Sequence, residues 1–165
     1  PSGVVDRMPD NGTWLYQSNK WAGLVNERIN VPTPVNLYLT SSYDAEKGEA
    51  TAVVKAAFTQ NVNKKVALTV VVIENDIIDA IQHGLRVDTF YNHVHVMREL
   101  ITPTTGTQIL EDRTEKEAGL VYERSFTFPV HSSWKPENCY VVAFLCSNES
   151  GEKEILQAVE AKMQP

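Results

Sequence analysis

The chain has 165 residues, 42% of them apolar and 22% charged, with a net charge of −6. That is about one domain's worth of sequence with a globular balance, which excludes wholesale disorder and two full domains. The acidic balance offers no basic field for nucleic acid, and no apolar run approaches the roughly 20 residues of a membrane helix.

The chain opens PSGVVDRM, with neither an initiator methionine nor a signal-peptide pattern, and reads as the interior of a longer polypeptide. Turn residues punctuate the first twelve positions, which read as a short strand with turns. From Trp14 the period becomes helical: Trp14, Ser18, Trp21, Val25 and Ile29 recur at steps of three and four. Thr13 or Asn11 is expected to cap this helix, and Pro32 to end it. Its two tryptophans are expected to pack it onto the rest of the fold.

Beyond the linker PTP the period switches to two. NLYLT alternates, ATAVVKAAFTQ puts Ala52, Val54, Ala56 and Phe58 on one face, and KKVALTVVVIEN is apolar on both faces, as a central strand must be. NDIIDAIQHG reads as an irregular stretch or edge segment. FYNHVHVMRELIT reads as a strand, with Val94, Val96 and Leu100 inward and His93, His95 and Glu99 outward; a helix over 92–101 is the alternative. TPTTG is turn chemistry. GLVYERSFTFPV is a strand with Leu120, Tyr122, Phe126 and Phe128 on the face that also carries Arg124. HSSWKPEN is a loop, CYVVAFLCS a central strand, NESGE a hairpin turn, and KEILQAVEAKM a last strand that could turn helical. About seven short strands at turn-punctuated spacing predict a mainly β, antiparallel β-sandwich.

Cys139 and Cys146 lie seven apart in one strand, on opposite faces and roughly 20 Å from each other. A disulfide needs Cα atoms within about 7 Å, so two buried free thiols are expected. His93 and His95, at i and i+2 of a strand, could turn both imidazoles to one metal ion, with His83, His131 or Glu99 completing the set. Plain strand alternation explains the same spacing, and no metal is assigned. Arg98 and Arg124 sit in apolar patterns, where a carboxylate partner such as Glu74, Asp76 or Glu99 is expected. Glu74 and Asp76 could form an acid–base pair, but no activated nucleophile accompanies them. No G-x-S-x-G, P-loop or dinucleotide motif is present, so no cofactor is expected. NGT at 11 and NES at 148 match glycosylation triplets.

IEND at Ile73–Asp76, then Gln82, then Tyr91, His93, His95, Val96 and Arg98 in YNHVHVMREL form a longer pattern. Gly106, Trp134 before Asn138, VVAF and the closing ILQA continue it. Together they resemble the 28-kilodalton-type outer-membrane lipoproteins of Gram-negative gut and oral anaerobes, from about Val35 to Ala161. The resemblance implies an immunoglobulin-like antiparallel sandwich over 33–165, preceded at 1–32 by the tail of a thioredoxin-like domain. Pro1 would then match that domain's loop proline, and the Trp14–Ile29 helix its last helix. The polar residue usual between the two histidines is Val94 here.

The resemblance also implies a non-enzymatic cell-envelope protein at the outer membrane, facing periplasm or surface, held by a lipid anchor upstream. Its role would be adhesion or recognition of a protein or glycan through loops at one end of the sandwich. The candidate loops are 83–92, 102–108 and 131–138, with Tyr91, His131 and Trp134 as contacts, although a Trp134 that plugs the core is the plainer reading of that residue. The rival readings are a partner-orienting domain of a redox lipoprotein, and a metal module through His93 and His95. The oligomeric state is not legible.

Overall fold

A computed structural model describes residues 2–9 and 12–164. The expected Pro1 match and the Asn11 cap and glycosylation triplet lie outside these residues.

The first elements form a small N-terminal unit. Strand β1 (Ser2–Gly3) pairs antiparallel with β2 (Tyr16–Gln17), and helix α1 (Ser18–Arg28) packs against both. The helix starts four residues later than the periodicity predicts. Gln17 is its N-cap, with no side-chain hydrogen bond, so neither expected cap residue serves. Trp14 precedes the helix and is exposed, while Trp21 lies against Gly3 of β1. Neither tryptophan packs the helix onto the main sheets, and α1 buries none of its residues. Its link to the sheets is polar. Arg28 Nε meets Asp6 Oδ2 at 2.9 Å and Arg28 Nη2 meets Glu154 Oε1 at 2.6 Å.

The main body consists of antiparallel sheets. Strands β3 (Val35–Asp44) and β4 (Glu49–Phe58) form a hairpin, and β5 (Val66–Glu74) is buried at every residue. Next come β6 (Ile77–His83), β7 (Arg86–His93), β8 (Val96–Leu100), β9 (Thr107–Ile109), β10 (Val121–Pro129), β11 (Cys139–Ser147) and β12 (Ile155–Lys162). One sheet has the order β10-β4-β3. The other has the order β12-β11-β5-β8, with β9 on the same edge of β5 as β8. A parallel bridge from Ser42 to Gln164 joins the two along β3. No barrel closes among the described residues.

Alternation decides what the sheets bury. Ala52, Val54, Ala56 and Phe58 of β4, with Phe126 and Phe128 of β10, meet Val66, Leu68, Val70 and Val72 of β5 and Val141, Ala143 and Leu145 of β11 in one hydrophobic core. Cys139 belongs to that core. Cys146, after a bulge, faces the other side of the sheet beneath Arg7, and both thiols are free and buried. The last strand does not turn helical.

Residues 77–100 depart most from expectation. NDIIDAIQHG holds a strand, β6, which pairs with β7 as a separate two-stranded ribbon. A two-residue turn joins them, with Gly84 at its first position and a φ of 61°, the pattern of a type II′ hairpin. Neither one strand nor a helix spans 92–101. The chain breaks at Val94–His95, where His95 takes a φ of 54°. Val94 therefore points into solvent rather than inward, and Val96 and Leu100 are half-buried outside the core. Glu99 is exposed as expected. Among the described residues the strand count also rises: eight strands make the two facing sheets, two the ribbon and two the N-terminal pair.

Candidate functional site

The end of β5 organises one pole of the molecule, and three consecutive residues of IEND each hold a different segment. Glu74 is only 3% exposed. Its Oε1 accepts the Lys135 amide at 3.1 Å, and its Oε2 lies 3.2 Å from Arg98 Nε on β8. Burying the carboxylate is tolerable because Oε1 accepts a backbone amide and the Arg98 cation lies at ion-pair distance from Oε2, although Oε2 itself accepts no hydrogen bond among the described residues. The Asn75 amide donates to the Asn138 carbonyl at 3.0 Å, and Asn75 Oδ1 accepts the His95 amide at 2.6 Å. That contact pins the left-handed turn at His95. Asp76 Oδ1 accepts Asn92 Nδ2 at 2.9 Å, closing the root of the ribbon. Residues 74–76 thus fasten the ribbon, β8 and the 131–138 loop to one strand end. Glu74 and Asp76 brace neighbouring segments here, and neither faces a nucleophile among the described residues.

The 131–138 loop folds on itself above this brace. The Ser133 amide donates to His131 Nδ1 at 3.2 Å, and the Ser133 hydroxyl lies 2.8 Å from the same nitrogen. An amide can only donate, so Nδ1 is the acceptor and the neutral ring carries its proton on Nε2, directed away from the turn. The His131 and Trp134 rings are 6.4 Å apart. Trp134 is half-buried against the core and lies under the Arg98 guanidinium, 5.9 Å from its ring centre. A 3-10 turn at Pro136–Asn138 leads into β11. Burial, then the nearby Glu74 carboxylate, pushes the Cys139 thiol up to about 11, which leaves it protonated and unreactive at neutral pH.

Tyr91 lies on the ribbon, in a row of rings. Its centroid is 4.8 Å from His93 and 5.8 Å from His83, both edge-on. His93 ends β7, while His95 sits in the left-handed break beyond it. The i, i+2 alternation that would aim both imidazoles at one ion is therefore absent. Among the described residues no group of three His, Cys, Asp or Glu side chains is placed to hold a metal. Arg98 has its expected carboxylate partner in Glu74. Arg124 lies over the Phe126 ring at 5.0 Å.

The sequence-expected contacts thus divide. His131 and Trp134 come together in one loop, and Tyr91 stands on the ribbon rooted beside that loop. The 102–108 loop does not share this pole. It bulges from the flank of β5, where Val70 donates its amide to Thr102 Oγ1 at 3.1 Å. Thr104 and Thr105 there line an open, mainly apolar cleft of about 400 Å³ with Val4, Arg7, Trp14 and Lys153. What sequence reasoning missed is the ribbon itself. Gly84 between two β-rich runs is the signal that marks it.

The family model described as "Omp28: Outer membrane protein Omp28" matches residues 1–165. No curated protein matches the chain. Among solved structures the chain is similar to a domain of the outer membrane lipoprotein Omp28 from Porphyromonas gingivalis. That match has a TM-score of 0.56 and 19% identity, over 82% of this chain and 93% of that one. It is also similar to HBP35 of Porphyromonas gingivalis, with a TM-score of 0.68 and 15% identity, over 86% of this chain and 45% of that one. At these identities the likeness concerns the fold alone, and the chain spans less than half of HBP35.

Proposed function

The chain belongs to the Omp28 family of outer membrane proteins, and from that premise we propose that it is a non-enzymatic recognition domain of the cell envelope. In this reading the two facing sheets are an immunoglobulin-like sandwich over 33–165. Residues 1–32 are the tail of a thioredoxin-like domain, and a lipid anchor lies upstream. An α1 with no buried residue supports that assignment, since a helix ordinarily buries one face against a core of its own. Among the described residues the pole holds no constellation of nucleophile and base.

The observation that carries the proposal is the bracing of β6–β7 and the 131–138 loop at the end of β5 opposite the N-terminal unit. The Asp6 carbonyl accepts the Ile155 amide, Ile155 pairs with Cys146, and Cys146 pairs with Ala67 at the start of β5. The ribbon leaves from Glu74 at the other end, about 25–30 Å away for a nine-residue strand. A domain tethered from its N-terminal side presents this pole away from the tether. Tyr91, His131 and Trp134 there offer rigid rings with polar edges, the residue chemistry suited to protein or glycan contacts.

The test is biolayer interferometry of the full-length protein on immobilised mucin glycans and extracellular-matrix protein. Binding should fall at least tenfold in the Tyr91→Ala/His131→Ala double variant and stay unchanged in Tyr38→Ala, an exposed position on β3. Equal binding by both variants, or none by the wild type, overturns the assignment.

A further inference from the structure

The β6–β7 ribbon has two chemically different faces. Opposed residues of an antiparallel pair share a face, so His93, Tyr91, Asp88 and Arg86 lie with Ile77, Asp79, Ile81 and His83. A bulge sets Thr89 and Phe90 opposite Ala80. The other face therefore carries Ile78, Ala80, Gln82, Val87, Phe90 and Asn92, none of them charged, with the Asp76 carboxylate held by Asn92 at its root. Phe90 is 81% exposed, Ile78 and Val87 are more than half exposed, and Leu85 at the turn is fully exposed. A two-stranded ribbon with an open apolar face is marginal at best in water, because nothing repays the ordering of its backbone.

We propose that this face is the contact between two copies of the chain, packed ribbon against ribbon about a two-fold axis. Area and charge both favour a second copy. Ile78, Leu85, Val87 and Phe90, each more than half exposed, make an apolar patch of the few-hundred-Å² size that marks an interaction site, and pairing two copies covers both patches at once. Away from Asp76 at the root, such a face can meet itself without desolvating a charge or opposing like charges, which a chain of net charge −6 must otherwise avoid. The ring face with Tyr91 stays outward in such a pair. The proposal therefore does not depend on the recognition reading, and the two can fail separately.

The test is sedimentation velocity of the protein from 1 to 200 µM at physiological salt. A monomer–dimer equilibrium in the micromolar range is expected. Phe90→Asp should weaken it at least tenfold, while Asp79→Asn on the opposite face leaves it unchanged and both variants keep the wild-type circular dichroism. Ala80→Cys, near the middle of the face, should form a disulfide dimer under mild oxidation, since both native cysteines are buried. A monomer at 200 µM overturns the proposal. So does dimerisation indifferent to Phe90→Asp, or a monomer that binds phosphatidylglycerol vesicles through Phe90, which would make the occupant a lipid surface.

Discussion

Removing the arginine of the Glu74–Arg98 pair should destabilise the fold out of proportion to the size of the side chain. In Arg98→Ala the Glu74 carboxylate, 3% exposed, loses its only cation among the ion pairs described while staying buried. Breaking a buried pair from one side costs about 3–5 kcal/mol, since the charge left behind has no counter-charge. Two observations lower that figure. The Arg98 side chain is 23% exposed, and the Lys135 amide still donates to Oε1. The lost stacking on Trp134 restores about 0.5 kcal/mol. The expected loss is about 2–3 kcal/mol, or roughly 5–10 °C in Tm for a chain of this length. Urea unfolding followed by circular dichroism and tryptophan fluorescence measures it. The double variant Glu74→Leu/Arg98→Met, which leaves no buried charge, should recover at least half. An Arg98→Ala loss below about 0.5 kcal/mol, or a double variant worse than the single one, would refute the argument that the pair braces the pole.

Three further outcomes follow from the same geometry. Gly106 has a φ of 76°, and a Cβ there would lie 2.9 Å from Thr69 Oγ1 and 3.2 Å from the Leu68 carbonyl. Gly106→Ala should cost about 2–3 kcal/mol, against about 1 for Gly151→Ala, which has a similar φ and open space. With its thiol pushed up to about 11, Cys139 is roughly 0.1% thiolate at pH 8. Ellman's reagent should find both cysteines slow in the native protein and both reactive in urea, and a fast native thiol contradicts their burial. Arg28→Ala severs the Asp6–Arg28–Glu154 link. It should cost about 1–2 kcal/mol, with hydrogen exchange rising in α1 and residues 2–9 while β5 and β11 stay protected.

The core strands were legible because their chemistry is local. KKVALTVVVIEN is apolar on both faces and lies between two other strands, and ATAVVKAAFTQ buries its alternate residues. The ribbon was not legible, because IIDAIQH and RVDTFYNH alternate around a bulge that shifts the period. Its apolar face also points to solvent, so hydrophobicity there does not mark a core. The break at Val94–His95 was hidden for a related reason. Val94 continues the strand's apolar pattern, while the side chain that forces the turn, Asn75, lies twenty residues earlier. The helix was read four residues too long because Trp14 falls in phase with it by spacing alone. Of the expected contacts, His131 and Trp134 lie three residues apart in sequence and stay close in space. The 102–108 loop was grouped with them by its turn chemistry, although pairing of β8 and β9 with one edge of β5 holds it on the flank.

Site-specific photo-crosslinking in the intact cell envelope tests the central claim most directly. A photoreactive residue is placed in turn at Tyr91 and His131 on the ribbon pole, at Tyr38 on the β3 face and at Thr104 on the flank. Adducts concentrated at positions 91 and 131 are the expected result. Adducts confined to positions 38 or 104, or spread evenly over all four, would contradict a recognition site built on the end of β5.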